Sequence, residues 1–86
     1  TGCGVRGVLA VKDCPNVVVD TSGAAPEAGL VEYAVAQLGA ERVLYGSDVP
    51  IRDFAVALAR ITGTQLDARA KRKILHDNAR NLLRLP

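Results

Sequence analysis

Two short β-branched runs, each followed by a polar turn and an amphipathic stretch, constrain this chain more than any other feature. The first is Asn16-Val17-Val18-Val19-Asp20, which follows Pro15 and runs into Thr21-Ser22-Gly23. The second is Arg42 to Tyr45, closed by Gly46-Ser47-Asp48. Apolar runs of this length without alternation read as parallel strands covered on both faces. Between them, Leu30, Ala34, Val35 and Leu38 fall on one helical stripe, in a helix expected from about Pro26 to Leu38. Proline opens its first turn and Gly39 stops it. Strand, crossover helix and strand make one βαβ unit.

A further helix is expected from about Ile51 to Ile61, with Phe54, Leu58 and Ile61 at helical spacing and Gly63 as its stop. A weak helix diluted by Gly4 and Gly7 spans about Cys3 to Asp13. The tail reads as a helix from about Asp67 to Leu75, then a shorter one from about Asn78 to Leu83 with Asp77 as N-cap. Leu82, Leu83 and Leu85 give that last piece an apolar surface that needs a partner. The fold class is α/β, with two parallel strands at about 16–20 and 42–46. Both edges of so small a sheet are expected to be open, and open apolar edges invite further strands.

The 86 residues, 49% hydrophobic and 23% charged, suit a single segment of globular protein. No apolar run approaches the roughly 18 residues of a membrane span, and the N-terminus has no signal-peptide pattern. The chain lacks an initiator methionine and is expected to start within a longer sequence. Cys3 and Cys14, with one histidine in the chain, make neither a disulfide scaffold nor a zinc site, so both are expected as reduced thiols in a cytoplasmic protein. From Asp67 onward six Lys/Arg stand against two Asp. That basic tail has no aromatics to stack on bases, so it reads as a solvated helix face and no nucleic acid is expected.

Chemistry in parallel α/β architectures gathers in the turns at the C-terminal ends of the strands. Two turns qualify, Asp20-Thr21-Ser22-Gly23 and Gly46-Ser47-Asp48-Val49-Pro50. Leu44, Gly46 and Asp48 share a face if the strand stays extended. A carboxylate at that rim can bind a divalent cation or take a proton. The competing reading makes Asp48 the N-cap of the following helix, and spacing leaves both open. Asp20 and Ser22 are candidate substrate contacts, against a purely structural role as turn-forming side chains. His76 reads as a surface residue near a helix end. Ser22 and Ser47 lie in no nucleophile-elbow pattern, and Gly2-Cys3-Gly4 is no phosphate loop.

The segments Asn16–Gly23, Gly39–Pro50 and Lys73–Leu83, at this separation, resemble the closing third of a metal-dependent amidohydrolase of the amidohydrolase-2 family, which includes decarboxylases. The resemblance covers nearly the whole chain and implies a partial (β/α)8 barrel. The chain would be its C-terminal part, the last two βα units plus terminal helices. It implies Asp48 as metal ligand or general base, with a divalent metal, zinc in the expected case, and a small-molecule substrate. The family's His-x-His pair and later histidines are not in this sequence, though Thr1-Gly2 looks like the residues just after one of them. A catalytic metal needs about three protein ligands, so the chain alone is expected to be inactive. The alternative is a stand-alone α/β binding or scaffold module, a homo-oligomer joined through open strand edges.

Overall fold

The computed structural model describes residues 3–22, 28–50 and 53–85. Helix α1 (Cys3–Val11) leads into β1 (Val19–Asp20), α2 (Leu30–Leu38), a 3₁₀ turn (Ala40–Arg42) and β2 (Val43–Leu44). Three helices follow: α3 (Phe54–Thr62), α4 (Ala68–Arg72) and α5 (Asn78–Leu82). The π-type turn Lys73–Asp77 joins α4 to α5. The strands are parallel, as expected, with Val19 opposite Val43 and Asp20 opposite Leu44. Two strands make the sheet among the described residues, and no barrel closes around them.

Each strand is shorter than its β-branched run. Val17 and Val18 are exposed and outside the ladder, because β2 offers partners to only two residues. The expected helix start at Pro26 lies outside the described residues. The part of the helix that is described ends as anticipated, with Gly39 at φ 90° and its N–H donating to Val35 O at 2.8 Å. That left-handed backbone suits glycine. Helix α3 is capped by Asp53, whose Oδ1 accepts from Ala55 N at 3.0 Å. Residues 51–52, where its start was expected, lie outside the described residues.

Val8, Ala34, Val43, Ile61 and Ile74 form the buried core, one residue from each of α1, α2, β2, α3 and the π turn. Leu38, Val35, Tyr45, Leu66 and Leu75 pack against it. Of the anticipated apolar stripes, Ala34, Val35, Leu38, Ile61, Leu66 and Ile74 therefore point inward. Leu82, Leu83 and Leu85 stay exposed.

Two polar side chains tie the elements to β2. Arg42, at its entry, donates to the carbonyls of Val11 (2.7 Å), Lys12 (3.2 Å), Cys14 (2.7 Å) and Val17 (2.8 Å). Helix α1 has no basic residue in its own last turn. The guanidinium fork thus bonds the carbonyl of the last helical residue and two just beyond it, and meets the negative end of the helix dipole. Asn78 is buried, and its Nδ2 donates to Val43 O at 2.8 Å and Ala40 O at 2.5 Å.

The tail departs from expectation at Asp77. It holds the expected N-cap position of α5, but its backbone is helical and its side chain makes no capping bond. The π turn carries the chain through without a break: Asn78 N–H reaches back to Lys73 O. Asp77 pairs instead with Arg72 at 3.4 Å and lies 2.8 Å from His76 Nδ1, which holds its carboxyl below the ordinary range. The true cap of this segment is Asp67, which accepts from Ala70 N at 2.8 Å.

Asn78→Ala should cost about 1–3 kcal/mol, the usual range for a buried carbonyl that loses its donor, because Val43 O gives up Asn78 Nδ2 while Ala40 O keeps the Val43 N–H; urea denaturation measures it. Arg42→Lys should destabilise as well, since an ammonium cannot span four carbonyls. A third outcome concerns acid. The Lys73 ammonium bonded to Glu41 holds that carboxyl below its ordinary value. The pair therefore stabilises the fold above the ordinary carboxylate range, and loses that contribution as pH falls through the lowered value. Glu41 is two-thirds exposed, so solvent screens the effect. Glu41→Gln should slightly flatten the acid limb of a pH–stability curve.

Candidate active-site edge

The turns after β1 and β2 lie against each other at the C-terminal end of the sheet. Thr21 joins them. Its N–H donates to Leu44 O at 3.0 Å, extending the ladder, and its Oγ1 accepts from Gly46 N at 3.1 Å. Arg60, from the last turn of α3, donates through Nη1 to Thr21 O at 2.7 Å. One threonine thus holds β1, the β2 turn and α3 together.

Gly46 is needed for the close approach. A Cβ there would lie 2.9 Å from both Asp20 Oδ1 and Ser22 Cβ, and 3.1 Å from the Ser22 backbone nitrogen. Two of those neighbours belong to a fixed turn and cannot swing away. Asp20 fixes it: its Oδ1 accepts from Ser22 N at 2.9 Å and also from Ser22 Oγ. The turn-forming role of Asp20 and Ser22 is therefore present. Both remain exposed beside the second turn.

Asp48 sits beyond Gly46, exposed, in the left-handed region at φ 63°. It does not cap α3; Asp53 does. The helix-cap alternative for Asp48 is thereby removed, and the residue lies in the turn that follows β2. The following turn is set by Ser47, whose Oγ accepts from Val49 N at 3.3 Å, and by a cis peptide between Val49 and Pro50.

A divalent metal finds no full ligand set among the described residues. Among the described residues, no three His, Cys, Asp or Glu side chains come together. His76 is tied to Asp77 in the tail. The described helices include none long and apolar enough to cross a membrane.

Sequence reasoning missed Thr21 and Arg60 as organisers of the turns. A threonine directly after a strand is a weak signal, and an arginine in the last turn of a helix is a common feature that marks no partner. Gly46→Ala should displace the Asp20–Ser22 turn and cost about 1–3 kcal/mol, the usual range for overpacking. Thermal unfolding of the variant checks it.

The model of the family described as Amidohydrolase matches residues 4–85, which includes both strands, both turns and the tail helices. No curated protein matches the chain. With nearly its whole length matched, two parallel strands in place and the two βα turns locked together at one end, the chain belongs to the amidohydrolase family.

Proposed function

We propose that this chain is the C-terminal portion of an amidohydrolase-type hydrolase or non-oxidative decarboxylase acting on a small molecule. Asp48 serves there as a metal ligand or general base. The observation that carries this reading is the placement of Asp48. It lies in the turn after β2, at the strand ends where parallel α/β enzymes gather their chemistry, and α3 draws its cap from Asp53 instead. Family membership supports the reaction class, since members of the superfamily generally use divalent metals.

The complete enzyme in this reading is a barrel of roughly 250 residues. Its remaining metal ligands, for zinc in the expected case, come from outside this chain. Asp20 and Ser22 would face substrate from the neighbouring turn, which Gly46 brings close. The free, exposed thiol of Cys14 goes with a reducing compartment, and so with the cytoplasm.

In a complete parent enzyme, Asp48→Asn should lower kcat by about 10²–10⁴-fold, the usual range for losing an acid–base group. KM should change little. Unchanged turnover would remove Asp48 from the chemistry. The isolated chain, dialysed against zinc and analysed for metal, should hold none in stoichiometric amount; tight binding of one zinc would show a ligand set within these residues. The coding sequence gives a third check. A His-x-His some way upstream supports the reading, and a stop codon followed by a start just before Thr1 contradicts it.

A further inference from the structure

The loop that carries Asp48 leaves β2 at Gly46 and reaches α3 at its cap, Asp53. The elements at both ends of that loop bond to one residue, Thr21. At the near end, the Gly46 N–H donates to Thr21 Oγ1 at 3.1 Å. At the far end, Arg60 of α3 donates to Thr21 O at 2.7 Å. Both bonds are partly buried, where water replaces a lost partner poorly. The Thr21 N–H is engaged as well, on Leu44 O at 3.0 Å, two residues before Gly46.

These three bonds ask different things of residue 21. Those made through its N–H and carbonyl come from the backbone, which almost any residue supplies. The bond to Gly46 needs an acceptor on the side chain, and a hydroxyl on a short branched stem provides it. Valine keeps the branched shape and lacks the acceptor. Side-chain identity at this position therefore bears on one point, the amide two residues before Asp48. Gly46 is confined at that point, because the Asp20–Ser22 turn comes within 2.9 Å of where its Cβ would be.

We infer that Thr21 is a positioning residue for Asp48: its hydroxyl holds the Gly46 amide while its carbonyl holds Arg60, and the two bonds together fix the course of the loop between. Thr21 acts on Asp48 through Gly46, by geometry. Its bearing on turnover rests on the role proposed for Asp48; its effect on the loop does not.

Thr21→Val and Thr21→Ser in the 86-residue chain, read by NMR, test this. In the wild-type chain the Gly46 amide should exchange slowly with solvent. Asp48, at φ 63°, should show the strong intraresidue amide–Hα NOE of a left-handed backbone. Thr21→Val should weaken that NOE and speed Gly46 exchange about tenfold, the upper end of what one hydrogen bond usually contributes. Thr21→Ser should keep both signals. The Tyr45 amide, bonded to Ile74 O at 3.0 Å, should stay protected in all three chains and so report that β2 is intact. Thr21→Val with wild-type signals at Gly46 and Asp48 would overturn the inference, as would Thr21→Ser behaving like Thr21→Val. Should Thr21→Val not fold, the other two chains decide: a freely exchanging Gly46 amide in either overturns it. Turnover plays no part in these signals. A catalytically silent Asp48, shown by Asp48→Asn, would remove the proposed reaction and leave the positioning of Asp48 standing.

Discussion

The buried amide of Asn78 holds the C-terminal helices to β2, the strand onto which most of the described elements pack. Its two hydrogen bonds, to Val43 O and Ala40 O, fix α5 against the entry of β2. Arg42 acts at the same entry from the other side, gathering the end of α1 and the connection to β1 through four carbonyls. A two-residue strand contributes little by its own ladder. It becomes a stable centre because every element around it bonds or packs onto it, with Val43, Ile61 and Ile74 almost wholly buried together.

That centre sets the position of the candidate site. Burial of Val43 and the paired edges of β2 fix where the strand ends, and Thr21 and Gly46 then bring the two turns together. Asp48 stands at this rim in a conformation unfavourable for a residue with a Cβ. Local strain at a site residue, offset by a rigid support, is common where function and stability make opposite demands. The same support explains why a small piece of α/β architecture keeps its strand ends ordered without a closed barrel.

Much of this was legible in the sequence. Helical periodicity found α1, α3 and α4 and the end of α2, and continuous β-branched runs found two parallel strands. These signals are local, so they survive without knowledge of the partners. Strand length was overestimated because Val17 and Val18 have the propensity for a strand but no facing residues. Asp48 was ambiguous for a related reason. Local spacing lets it cap a helix, and only the fold shows Asp53 doing so. Asn78, Arg42 and Arg60 act on carbonyls 25 to 39 residues away in sequence, and no local pattern reports that. The Lys73–Leu83 segment carried the one hint, as part of a family resemblance. Asp77 was misread as a cap because an acidic residue before an apolar helix fits that role equally well. The π turn that keeps the helix continuous has no sequence signature.

The arrangement around β2 can be observed bond by bond. A long-range carbonyl-detected NMR experiment, reading scalar coupling across hydrogen bonds, reports donor and acceptor directly. The account predicts a cross-peak from the Tyr45 amide to the Ile74 carbonyl and another from the Asn78 side-chain amide to the Val43 carbonyl. A Tyr45 amide coupled to any other carbonyl would contradict it, as would a spectrum with neither cross-peak in a chain whose helical hydrogen bonds are detected.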